Sequence, residues 1–305
     1  MDCGQVERAL TTRAGPGSQH PWYPPHPLRR LVSPSQRHTT LADSSSHLEI
    51  STEATWTIDR LIQRSARITG ARLPASFARG DGGPSTLARL LRGGRGGAVR
   101  IKLYLSKVLL AGSMHNHPVH GRNTIFNVSG ATWARALALP DPPKAGARRV
   151  ADAQNQLASM GLIELQRQPS QPPITKLLHP TGSGAAWVEP GTPYIRIPLE
   201  VWSNRWIWHL SAKELAVYVA ILDLCAGNGV DGTGGPQALS GTHLRRYGIS
   251  EDTWRIASAS LEMMSLIHTD IAVVGADLAT SRRRKRYQLI PGALDSPAPI
   301  ASTRV

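Results

Sequence analysis

The 305-residue sequence predicts an α+β, mainly helical chain in which one structural unit is used twice. Three observations carry this. A helix, a stop, a strand, a turn and a second strand read off residues 147–179. The same apolar positions return 104 residues later. The apolar runs between these blocks are too short and too interrupted for a membrane span of roughly 20 residues.

In the first block, Val150, Ala153, Leu157 and Met160 form one apolar stripe at helical period. Gly161 ends that helix, as a residue tolerant of positive φ does. The strand Leu162 to Leu165, the turn residues Pro169 to Pro173 and the strand Ile174 to Leu178 follow. In the second block Trp254, Ala257, Leu261 and Met264 take the stripe positions, and Leu266-Ile267 replaces Leu162-Ile163. The second strand pair reads as Ile271 to Val274 and Tyr287 to Ile290, joined by a loop holding Arg282 to Arg286. Several apolar positions repeating in register mark a duplicated unit.

Taken in order, residues 1–53 are rich in Pro, Ser, Thr, His and Arg and read as a disordered extension. Residues 54–97 read as a short helix and a glycine-rich lead-in, with Ala71 to Gly83 a loop. Domain one spans 98–180, and its first helix is the apolar run Val99 to Leu110. The cations Arg92, Arg95, Arg100, Lys102 and Lys107 lie in this region, open either to solvent or to a phosphate backbone. Ser129 caps a short helix, and Asp141-Pro142 caps the next. Residues 181–193 form a Gly/Pro/Ser linker, and Tyr194 to Pro198 alternates like a strand. Domain two spans 194–291. Within it Ser211 to Glu214 is a capping box, and Ser240 and Ser250 are helix caps. Residues 292–305 read as a second disordered tail.

Composition narrows the function. The formal net charge is +14 and the pI about 10.6, which points to a polyanionic partner. Cys3 and Cys225 are far apart, so neither a disulfide framework nor a cysteine zinc site is expected. His115, His117 and His120 lack a nearby carboxylate or thiol, so no metal is expected there, nor any cofactor. The glycine-rich stretch 227–235 lacks the order of a phosphate loop. GxSxG, HExxH and dinucleotide fingerprints are missing too, so the chain does not read as an enzyme. The first 30 residues lack an apolar signal core, which suits a cytoplasmic, nucleoid-associated protein.

A helix with one buried and one basic face, followed by a β-ribbon, looks like the recognition helix and wing of a winged helix-turn-helix. Residues 98–179 and 211–290 resemble tandem winged-helix proteins, and the connecting YIRIPLEVW fits that pattern. The segments LPDPPKAGARRVADAQNQLASMGLIEL and RRYGISEDTWRIASASLEMMSLI are similar to uncharacterised actinobacterial proteins. The arrangement also resembles that of plasmid replication initiators, which carry two winged helices. Single winged helices of the GntR and MarR repressor types are the other comparison, although no effector domain is visible here. The resemblance implies binding of double-stranded DNA in the major groove, in transcriptional regulation or replication initiation.

The residues expected at such an interface are basic or amide groups off the apolar stripe. Arg148 and Asn155 suit base edges, because arginine pairs with guanine and asparagine with adenine. Lys144 and Arg149 suit phosphates, with Gln154 and Gln156 flanking. In domain two the candidates are Arg245, Arg246, Arg255 and the run Arg282, Arg283, Arg284, Lys285 and Arg286. A competing expectation is a structural or partner-binding protein whose surface is the Trp-rich segment 199–208.

Overall fold

The computed structural model describes residues 50–80, 83–92, 96–111, 123–226, 235–274 and 281–299. The chain opens with α1 (Thr52–Ser65), β1 (Ala71–Pro74) and α2 (Thr86–Leu91). A first unit follows: α3 (Gly97–Leu110), β2 (Thr124–Ile125), α4 (Gly130–Ala136), α5 (Ala147–Ser159), β3 (Ile163–Gln166) and β4 (Ile174–Leu177). A connector holds β5 (Tyr194–Ile197), α6 (Glu200–Ser203) and α7 (Trp206–His209). The second unit is α8 (Ala212–Cys225), β6 (Gln237–Ala238), α9 (Gly241–Tyr247), α10 (Glu251–Met263), β7 (Ile267–Val274) and β8 (Arg282–Leu289).

The fold is α+β and mainly helical, and the two units share one topology. Each runs helix, strand, helix, helix, strand, strand. Their sheets share one order as well, β2-β4-β3 and β6-β8-β7, with antiparallel pairing throughout. Corresponding helices have equal lengths: 14 residues for α3 and α8, 7 for α4 and α9, 13 for α5 and α10. The likeness reaches the backbone after the third helix. Gly161 has φ +69° and Ser265, at the matching position, has φ +57°. Both stripes are buried, Val150, Ala153 and Leu157 in α5, Trp254, Ala257 and Leu261 in α10.

Local sequence explains the helix starts. The side chains of Ser129, Ser211, Ser240 and Ser250 each accept a backbone N–H at the third helical position, satisfying a donor that lacks an intrahelical partner. Asp141 accepts from Ala145 N at 3.1 Å and opens a wide turn, Pro142–Gly146, that leads into α5. α8 is apolar on every side and buried from Leu215 to Cys225, so it must be enclosed by other elements. It packs against α3, α10, β5 and β8.

Three expectations about boundaries are corrected. The segment 54–97 is not a loose lead-in. β1 pairs with β5 in the register Ala71↔Ile197 to Pro74↔Tyr194, where a loop was expected. A Cβ on Gly70, at φ +106°, would lie 2.0 Å from the Ile197 carbonyl oxygen, so only glycine admits this approach. The same segment also joins the second unit. Arg79 donates to the buried Asp223 at 2.7 Å, Tyr247 donates to the same oxygen at 2.9 Å, and Gly80 N donates to Arg246 O at 2.8 Å. At the far end, residues 292–299 do not form a loose tail. Leu294 and Ala298 are buried, and Ala298 N donates to Asn204 O at 2.8 Å. At the near end, α1 begins at Thr52. The rest of the expected disordered extension, residues 1–49, lies outside the described residues, as do residues 300–305.

The cations of α3 are largely internal, which excludes them from any interface. Arg100 is buried and donates to Leu90 O at 2.8 Å and to Gln156 Oε1 at 2.6 Å. Lys102 donates to Trp208 O at 3.0 Å. Lys107 is fully enclosed. It donates to Thr175 Oγ1 at 3.0 Å and sits over the Trp133 ring at 4.8 Å, with no carboxylate partner among the described residues.

Burial therefore pushes the Lys107 ammonium down to about 7 and that of Lys102 down to about 8. The folded state then holds these protons less tightly than the unfolded state does. Stability is lowest below about pH 7, where both states are charged, and rises as the pH climbs toward the unfolded lysine value. Urea unfolding should show the wild type gaining stability between pH 6.5 and pH 9. Lys107→Met should be more stable than wild type at pH 6.5 by about 1–3 kcal/mol. Its gain with pH should be smaller, with Lys102 still contributing. A Lys107→Met protein less stable at pH 6.5 and with an unchanged pH slope would contradict this account.

Candidate nucleic-acid interface

Each unit leaves the outer face of its third helix uncovered. On α5 that face carries the exposed Arg148, Arg149, Asp152 and Asn155, with Lys144 exposed in the turn just before. The side chains of Lys144, Arg148 and Arg149 make no ion pair or hydrogen bond among the described residues. Asn155 accepts from Arg167 NH2 at 3.0 Å. Arg167 follows β3, so this contact ties the β3–β4 turn to the helix face and places a further exposed cation beside Asn155. Sequence reasoning passed over Arg167, although a cation in a ribbon turn beside a basic helix is a readable signal.

The flanking amides do not belong to this face. Gln154 lies on the buried side, and Gln156 accepts from Arg100. Both positions fall near the apolar stripe, which turns them inward.

The second unit is built differently. On α10 the exposed Arg255 donates to Asp252 at 3.0 Å, and beside it stand Ile256 and Met263, 57% and 81% exposed. This face mixes the acidic Glu251 and Asp252 with exposed apolar groups, where that of α5 is mainly basic. Arg245 and Arg246 are exposed near the end of α9, and Arg245 donates to Thr242 Oγ1 at 3.2 Å. Arg282 to Arg286 are not in a loop. They are the first five residues of β8, paired with β7 from Val274↔Arg282 to Asp270↔Arg286. The strands run further toward the tip because alternating Ile271 and Val273 on β7 give it a full ladder partner.

This pairing sorts the run. Arg286 forms a two-point ion pair with Asp270, with Nε to Oδ1 at 2.9 Å. The Arg286 guanidinium holds the Asp270 carboxyl below the usual range, and Asp270 raises Arg286 in return. Lys285 lies 4.0 Å from Glu262 and over the Tyr287 ring. Arg282, Arg283 and Arg284, toward the tip, have no ion pair among the described residues. Pleating puts Arg282 and Arg284 on one face of the ribbon and Arg283 on the other.

The Trp-rich segment is interior. Trp202, Trp206 and Trp208 are 1%, 3% and 6% exposed. Their indole N–H groups donate to Ser106 Oγ at 3.0 Å, Ser296 O at 3.1 Å and Ala136 O at 2.7 Å. His115, His117 and His120, and the glycine-rich residues 227–234, lie outside the described residues. No helix among the described residues is long and apolar enough to cross a membrane.

No protein-family model matches the chain, and no curated protein and no solved structure match it.

The geometry separates exposed from enclosed guanidinium groups. Limited modification with phenylglyoxal, read by peptide mass spectrometry, should label Arg148, Arg149, Arg282 and Arg283 early. Arg100 should be labelled last, since two carbonyl oxygens, those of Leu90 and Arg92, and the Gln156 amide enclose it. Early labelling of Arg100 would contradict its buried position.

Proposed function

We propose that the chain is a sequence-specific double-stranded DNA-binding protein built from two tandem winged helices, acting by binding rather than catalysis. On this reading it is a transcriptional regulator or a replication initiator, cytoplasmic and associated with the nucleoid. The observation that carries the reading is the shared order of helix, strand, helix, helix, strand, strand, with one sheet order in both units. That topology leaves a third helix and a two-stranded ribbon on one surface, the pair of elements a winged helix lays on a duplex. The resemblance noted in the sequence is consistent with it. In each unit at least one of these elements bears cations with no ion pair among the described residues.

α5 is the base-reading helix in this proposal. Arg148 stands where a bidentate contact to guanine is available, and Asn155 with Arg167 forms a second polar group one and a half to two turns on. Lys144 and Arg149 hold phosphates. The second unit adds backbone affinity through Arg245, Arg246 and Arg282 to Arg284, since its α10 face offers Arg255 already paired with Asp252. Burial of Trp202, Trp206 and Trp208 favours this reading over partner binding through the Trp-rich segment.

Fluorescence anisotropy on a selected site and on random duplexes tests the assignment. Arg148→Ala should lose about 1–3 kcal/mol on the selected site and relax its preference at one base pair. Lys144→Ala should weaken both duplexes equally. Equal loss on both duplexes for Arg148→Ala would remove it from the base-reading set. Replacing Arg282, Arg283 and Arg284 by Ser should make the slope of log K against log salt shallower by about 1–2 units, since one face of the ribbon meets the duplex. An unchanged slope would leave those arginines without a phosphate contact.

A further inference from the structure

α1 packs on α3, α4 and α6, burying Ala54, Thr57 and Ile58, and among the described residues its Trp56 and Arg60 side is exposed. There a cleft of about 600 Å³ opens between α1 and α4. Ligand sites for small molecules fall in this size range. From α1 come Glu53, Trp56, Arg60 and Arg64, which recur every three or four residues and so share a helix face. From α4 come Thr132 and Arg135, one turn apart.

Two features of this wall are unusual for a packed helix pair. The first is charge. Three guanidinium groups meet one carboxylate, Glu53, which accepts from Arg135 at 3.2 Å. Arg64 donates to Phe126 O at 2.7 Å. Arg60 has no ion pair or hydrogen bond among the described residues. The neighbouring Asp59 is engaged elsewhere, accepting from Arg205 at 2.7 Å. Arg60 and Arg64 stand one turn apart with like charge, a destabilising placement unless an anion answers it. Desolvation, with a contribution from the Arg60 charge, lowers Arg64 below its usual value. The second feature is Trp56. Its ring is 60% exposed, while the other tryptophans among the described residues are buried. The Arg60 guanidinium lies 5.1 Å from the ring centroid, over one face, and Trp56 keeps most of its surface exposed among the described residues.

We propose that the α1–α4 cleft is a binding site for a phosphorylated nucleotide unit. Trp56 stacks the base on its exposed ring, and Arg60 with Arg64 and Arg135 holds the phosphate. Stacking is tolerant of base identity because every base offers a π-face, so the site selects for a flat ring plus an anion. A free nucleotide and a nucleotide within a nucleic-acid strand present the same chemistry. This assignment does not depend on α5 reading DNA, so the two readings fail separately.

The test uses the full chain, labelled with 15N, and follows the indole N–H resonance of Trp56, identified by its loss in Trp56→Phe. Probes are adenosine monophosphate, adenosine, inorganic phosphate and a short single-stranded oligonucleotide of random sequence. The monophosphate should shift the resonance saturably, and adenosine and phosphate should each bind about tenfold or more weakly. A shift by the single strand with none by the monophosphate would place the nucleotide within nucleic acid. In either case Arg60→Ala should weaken the responding probe by about tenfold, and Arg148→Ala should leave the monophosphate response unchanged. Arg60 is exposed, so its loss does not disturb the core. The proposal falls if no probe moves the Trp56 resonance, if adenosine binds as well as the monophosphate, or if Arg60→Ala binds like wild type.

Discussion

The arrangement of both units depends on the enclosure of the connector Val201 to Leu210. Its three indoles bury their rings and still satisfy their N–H groups, on α3, at the end of α4 and in the closing segment 291–299. A buried indole N–H costs less when it finds a partner, and each of these three finds one on a different element. Between them Arg205 reaches both carboxylate oxygens of Asp59 on α1, at 2.7 and 2.8 Å. A connector that could have been a flexible hinge is instead the point where the lead-in, both units and the chain's last described residues converge. The pairing of β1 with β5 and the Arg79–Asp223–Tyr247 contacts add a second tie between the lead-in and the second unit. Shared burial of this kind holds two repeated units in one relative orientation.

The duplication was legible because its signal is periodic. Val150 to Met160 and Trp254 to Met264 have equal spacing, and the structure places both stripes inward with the ribbons following at Ile163 and Ile267. The caps at Ser129, Ser211, Ser240 and Ser250 were legible for the same local reason. What escaped was long-range. β1 has four residues and becomes a strand only by meeting Tyr194 to Ile197 more than a hundred positions away. The segment after Ile290 looks like a polar tail until Asn204 and Trp206 supply partners for its carbonyl oxygens. Arg282 to Arg286 looked like a loop because consecutive cations resist a sheet. Cross-strand Asp270 and the nearby Glu262 answer two of the five, and solvent answers the rest.

The candidate interface shows the same division. Arg148, Arg149, Asn155 and Lys144 stand on the exposed face because the stripe opposite them is apolar, an inference that one helix supports alone. Sequence could not tell that Arg100 and Lys107 are core cations, since that depends on Leu90, Gln156, Thr175 and Trp133 arriving from four other elements. It also could not tell that Trp56, which fits an apolar helix face, turns out toward solvent between arginines.

The two units differ most where they are most alike in backbone. Among the described residues α5 offers cations with no ion pair and an amide, whereas α10 offers an arginine paired with Asp252 and the exposed Ile256 and Met263. A pair of equivalent readers is not what these faces describe. Under the proposed function they fit one reader and one clamp, and selection of duplexes from a random pool by the full chain, followed by sequencing, tests that proposal most directly. The account predicts one enriched motif with a single strongly read half, and a flanking stretch bound at physiological salt without base preference. A pool that stays random through successive rounds, or two half-sites read with equal strength, would contradict it.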